Sequence, residues 1–156
     1  MTRSEVYEGV RGTMSLYGGL FKIVIEKLGF EEALSIHGRL QEPIGDGWAK
    51  LLKEKLGGNK LSMDIFSELY ISMSTSGVEN VYEVNLDTFK VKGYQCPIYD
   101  GLKDAGLSHE VINQMCTRAG KLIIQSLIKN YPEISAGIDF RNKPEEYCVE
   151  WYKLKK

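Results

Sequence analysis

Apolar residues recur every three to four positions through the first half of the chain and every second position through much of the remainder. Met14, Tyr17, Phe21, Val24, Ile25 and Leu28 fall at helical spacing, which predicts a helix over 4–28 that Gly29 stops. A second helix is predicted from residue 30, with Ala33, Leu34, His37 and Leu40 on one face. Pro43, Gly45 and Gly47 then predict an interruption, because proline lacks an N–H and glycine is permissive. Trp48, Leu51, Leu52 and Leu56 mark a third helix ending at Gly57-Gly58. Ile65, Phe66, Leu69 and Met73 mark a fourth over 62–74.

The period then shortens to two. Tyr82, Val84 and Leu86 alternate with Glu83, Asn85 and Asp87, and Phe89, Val91 and Gly93 alternate with Lys90 and Lys92. Alternation of this kind is the mark of half-buried strands. Pro97 ends the second strand, and a short helix follows over 98–104. Ser108 is placed to cap a long amphipathic helix, whose stripe runs Val111, Ile112, Met115, Cys116, Ala119, Leu122, Ile123 and Leu127. Ile134, Ala136, Ile138 and Phe140 predict a third strand. After a turn at 142–145, residues 147–154 predict a fourth.

A helical half (about 4–76) followed by strand pairs separated by a helix (about 78–154) predicts an α+β fold. Its N-terminal helices and one long helix would pack on an antiparallel sheet of about four strands. With 156 residues the chain is read as one domain, 1–156. A chain of this size buries roughly 68–70% of the surface its unfolded form exposes, so it needs neither disulfide nor metal merely to fold.

Charge narrows the partners. Twenty basic residues against twenty-one acidic ones give a net charge of −1, with no basic stripe of the kind nucleic acid requires. Lys22, Glu26 and Lys27 break the longest apolar stretch, which leaves no membrane span, and the first ten residues do not read as a secretory signal. An odd number of cysteines, three, suits a reducing compartment, so cytoplasmic localisation is expected. The surplus of apolar helical positions over 13–73 suggests a homodimer through the N-terminal helices.

Candidate chemistry centres on Cys96, Cys116 and Cys148. Their wide spacing matches no compact zinc signature. Cys116 sits on an apolar helix face, where cysteine commonly serves as a small hydrophobe. Cys96 precedes Pro97 at a helix start, where backbone N–H groups favour a thiolate, which suits a nucleophile or a metal ligand. His37 is the general base best placed by residue type, although a histidine between Leu34 and Leu40 is more often a satisfied core residue. His109, Glu42 and Asp46 read as solvated, and Trp48 and Trp151 as core. Phosphate-binding loops, the GxSxG elbow and HExxH are absent, which excludes a Rossmann or P-loop enzyme.

Gln95-Cys96-Pro97, then GLKDAGLSHEVINQMC ending at Cys116, NYPEISAGIDF, EEYCVEWY and the upstream KLGFEEAL together resemble the L-2-amino-thiazoline-4-carboxylic acid hydrolase family over roughly residues 25–152. The layout is more distantly similar to the 4-vinyl-reductase-type ligand-binding domains. Two positions depart from the hydrolase pattern. Gly120 stands where an acid is expected a turn after the helix cysteine, and the Asn-Pro pair is split by Tyr131.

The resemblance implies a small-molecule hydrolase attacking a cyclic C=N carbon. Cys96 would act as nucleophile, or Cys96, Cys116 and Cys148 would hold a zinc ion that activates water. The alternative is a non-catalytic domain that binds a hydrophobic small molecule or haem-like cofactor, with structural cysteines.

Overall fold

Six helices and four strands follow one another in this computed structural model, which describes residues 2–73 and 77–155. The helices are α1 (Arg3–Leu28), α2 (Phe30–Arg39), α3 (Glu42–Leu56), α4 (Met63–Met73), α5 (Pro97–Asp104) and α6 (His109–Asn130). The strands are β1 (Asn80–Val84), β2 (Thr88–Gly93), β3 (Ile134–Asp139) and β4 (Cys148–Leu154). The strands form one antiparallel sheet in the order β1-β2-β4-β3, so the fold is α+β, with helices packed on a four-stranded sheet. Ser74, the last position of the predicted fourth helix, lies outside the described residues.

Local chemistry sets the helix ends. Thr2 and Glu5 form a capping box: the Thr2 side chain accepts from the Glu5 N–H at 3.3 Å, and Glu5 accepts from the Thr2 N–H at 2.7 Å. Ser108 caps α6 by accepting from the Val111 N–H at 3.3 Å. Two expectations are corrected. Pro43, Gly45 and Gly47 do not interrupt the chain but lie within α3. Pro43 falls in the first turn, where no intrahelical N–H is needed, and Gly45 lets α6 approach closely. A β-carbon at Gly45 would stand 2.7 Å from Ser126 Cβ and 2.8 Å from the Ile123 carbonyl. The first strand also ends at Val84 rather than at Leu86. The Asn85 N–H donates to the Thr88 carbonyl at 2.7 Å to close the hairpin, which leaves Leu86 93% exposed.

Register fixes what the helices cover. Gly93 pairs with Cys148, Val91 with Glu150 and Phe89 with Tyr152, while Ile138 and Ala136 pair with Glu150 and Tyr152 from the other side. Successive residues alternate faces, so Cys148, Glu150 and Tyr152 share one face of the central strand. It is the face that holds buried Phe89, Val91 and Ile134.

The buried apolar residues fall into two clusters. One joins α3, α4, α6 and the sheet through Leu52, Met63, Phe66, Phe89, Leu127 and Tyr152. The other joins α1, α2, α5 and α6 through Phe21, Ala33, Tyr99, Leu102, Ile112 and Met115. Domains of this size usually have one contiguous core. Here residues of both clusters line a cavity. Among the described residues no helix is long and apolar enough to cross a membrane.

Candidate functional site

The cavity has a volume of about 420 Å³ and takes in all three cysteines. Each arrives on a different element. Cys148 opens β4, Cys116 rides on α6, and Cys96 caps α5, three residues beyond the end of β2. Cys96 thus stands at the helix start expected for it, and the strand expected to run up to Pro97 stops earlier, at Gly93. None of the three forms a disulfide. Tyr70, Tyr152, Glu150, Trp48 and His37 also line this space.

Arg141 is the residue that distinguishes the site. It follows β3, is only 5% exposed, and lines the cavity. Its guanidinium is held by three fixed contacts. Nη1 donates to the Pro144 carbonyl at 3.2 Å, Nη2 donates to the Tyr94 carbonyl at 2.9 Å, and the group stacks 4.7 Å above the Tyr99 ring. Nε is buried and has no hydrogen-bond partner. Burial disfavours the guanidinium charge, but a hydrogen bond with the Cys148 side chain and the charges of Cys148 and Cys96 outweigh it and hold the Arg141 pKa above its ordinary value. An unsatisfied buried donor on a charged group is expensive, of order 1–3 kcal/mol or more, and native structures leave few such groups without a reason.

The same burial acts on the thiols. It pushes Cys96 up, against the Tyr99 and Ile98 N–H groups and the Arg141 charge, which favour the thiolate. The helix-start effect expected for Cys96 is thus present but loses to desolvation. Cys116 is pushed up to about 12, first by burial and then by its two neighbouring thiols. Burial also raises Glu150, although its Oε2 accepts from Tyr70 Oη at 2.7 Å and from Tyr152 Oη at 3.0 Å.

His37 lies in the cavity wall with both ring nitrogens engaged. Nδ1 bonds the Tyr17 hydroxyl at 2.7 Å, and Nε2 faces the Met115 carbonyl at 3.1 Å. Since a carbonyl only accepts, Nε2 carries the proton and Nδ1 accepts from Tyr17. Burial lowers the His37 pKa. His37 is therefore a fixed core histidine, with no hydrogen bond to any cysteine among the described residues.

The three thiols do not assemble a metal site. Among the described residues no three His, Cys, Asp or Glu side chains come together so as to hold a metal ion, so Cys96, Cys116 and Cys148 do not fit zinc in this arrangement. Gly120, where the hydrolase pattern expects an acid, sits beneath the sheet. A β-carbon there would lie 2.5 Å from Ile138 Cδ1, so a side chain would require the Ile138 tip to shift.

Several other residues are placed differently from the sequence reading. His109 is not merely solvated: its Nδ1 bonds the Tyr99 hydroxyl at 2.6 Å and its Nε2 contacts the Asn142 carbonyl at 2.9 Å, which ties α5 to the segment carrying Arg141. A wider depression of about 580 Å³ beside His109 lies open to solvent and contains no thiol. Glu42 and Asp46 line neither space, and Asp46 accepts a hydrogen bond from Ser126. Trp151 packs over Gly137 on the opposite face of the sheet.

Arg141 and Glu150 are the functional groups the sequence reading missed. Glu150 carried a signal, being in phase with Cys148 and Tyr152, whereas Arg141 gave none beside the turn at 142–145.

A scan against protein-family models finds no match for this chain, and a search of curated proteins finds no relative.

Proposed function

We propose that this chain is a small-molecule-binding domain whose cavity takes an organic anion, most simply a carboxylate, on Arg141. The observation that carries this reading is a buried arginine, its Nε without a hydrogen-bond partner, in the wall of a cavity lined by residues of both apolar clusters. Nη1 and Nη2 each make one hydrogen bond to a backbone carbonyl, so the guanidinium plane is already oriented and binding need not order it. A hydrogen bond between a guanidinium and a carboxylate is charge-assisted and roughly twice as strong as a neutral one. The mainly apolar surroundings suit the hydrocarbon part of such a ligand. Calorimetric titration with a panel of short aliphatic and aromatic carboxylates tests it. Saturable binding that Arg141→Met abolishes is expected; binding unchanged in that variant contradicts the proposal.

The hydrolase reading uses the same cavity and is supported by the convergence of Cys96, Cys116 and Cys148. In that reading a cyclic amidine carboxylate would be held by Arg141 and opened by addition at its C=N carbon. Raised thiol pKa values weaken the nucleophile it requires. Its test is ring opening followed by mass spectrometry, with Cys96→Ser expected to stop turnover. We also propose the homodimer, on the exposed α1 residues Leu16, Leu20 and Ile23, which lie three to four positions apart.

A further inference from the structure

Glu150 presents a different problem from Arg141. It sits two residues from Cys148 on the same face of β4, which puts its Cα about 7 Å further along the strand. Both of its hydrogen bonds, from Tyr70 and Tyr152, fall on Oε2. Among the described residues no lysine, arginine or histidine pairs with it, because the ion pairs all lie elsewhere, between side chains that are at least partly exposed. A carboxyl group buried in an apolar region without a cation is unfavourable in its charged form.

The groups around it define what would relieve that. Trp48 and Tyr70 meet edge to face with ring centroids 5.2 Å apart, and Tyr70 and Tyr152 lie 5.9 Å apart. Trp48, Tyr70, Tyr152 and Glu150 all line the same cavity. Tyr70 and Tyr152 turn their hydroxyls to this carboxylate and line the cavity with Trp48. Aromatic side chains beside one carboxylate are the chemistry that recognises an alkylated ammonium ion, through ring quadrupoles together with a negative charge. A small hydrated metal ion would need several more oxygen ligands than Glu150 supplies.

We infer that this end of the cavity is a binding subsite for an alkylammonium group, with Glu150 as counter-ion and Trp48, Tyr70 and Tyr152 as its aromatic wall. The inference rests on reading the cavity as a ligand site, and adds that the ligand class carries a cation there.

Choline is the probe, titrated calorimetrically into the full chain, with Glu150→Gln and Trp48→Leu as variants. Glutamine keeps an acceptor for the two tyrosine hydroxyls and removes the charge. Saturable choline binding is expected in the wild type, weakened about ten-fold or more in Glu150→Gln, about the loss of one cation–π or ion-pair contact. Trp48→Leu should weaken it as well, and serves alone if Glu150→Gln does not fold. Absence of choline binding, or equal affinity in the folded variants, overturns the inference. Carboxylate titration of the wild type separates the two proposals. Carboxylate without choline removes the ammonium subsite and keeps the anion reading. Choline without carboxylate does the reverse, and loss of both removes both.

Discussion

Arg141 and Glu150 line one sheet-facing cavity: the Arg141 Nε is buried without a hydrogen-bond partner, and half-buried Glu150 holds two tyrosine hydroxyls but pairs with no cation among the described residues. Two predictions belong to this scale. Burial raises both Cys96 and Cys116, Cys116 to about 12, so little of either is thiolate at neutral pH. Iodoacetamide should therefore label these two slowly at pH 7, in the folded protein and by peptide mapping, and faster as pH rises. Rapid labelling of Cys96 at pH 7 would contradict this. Glu150 gives a pH signature in stability. Its folded pKa lies above the ordinary 4.5 of the unfolded chain, so between the two values the folded state holds the extra proton. The stabilisation is fully present below the unfolded value and is lost as pH rises toward the folded one. Glu150→Gln should then lose less stability than wild type on going from pH 4 to pH 7, measured by urea denaturation. Equal losses would exclude it. The cysteines were legible in the sequence because thiol chemistry is carried by residue type. Arg141 was not, because its position comes from long-range contacts with Tyr94 and Tyr99 that place a loop residue inside the molecule.

Among the elements, α3 is the one whose sequence signal misled. Proline and two glycines in six residues read as a break, yet the helix runs through them, because a first-turn proline removes no bond and Gly45 is where α6 packs. The two glycines make opposite predictions. Gly45→Val should destabilise by about 1–3 kcal/mol, the usual cost of forcing carbon into a packed interface. Gly47→Ala meets nothing within 4 Å and should stabilise by up to about 1 kcal/mol through helix propensity. Urea midpoints with unchanged slopes check both. The 3.6 and 2 periodicities located the other helices and strands because amphipathic faces are local patterns. The ends of β1 and β2 depended on where the 85–88 turn closes and where α5 starts, turn chemistry that alternation alone does not show.

At the scale of the whole molecule, the two apolar clusters and the cavity between them follow from α5, α6 and the sheet meeting without filling the space. Hydrophobic spacing identified many of the buried residues, although Leu28, Leu40 and Leu51 on the same stripes are exposed, and it did not show that the buried ones divide into two groups, since the division depends on how far apart elements settle. If the cavity exists to hold a ligand anion, its most direct witness is the Arg141 Nε–H proton, a buried donor with no protein partner. Its resonance in a nitrogen–proton correlation spectrum, assigned by its loss in Arg141→Lys, should move downfield and saturate as a binding carboxylate is added. A resonance that stays in place while the carboxylate binds would contradict the account.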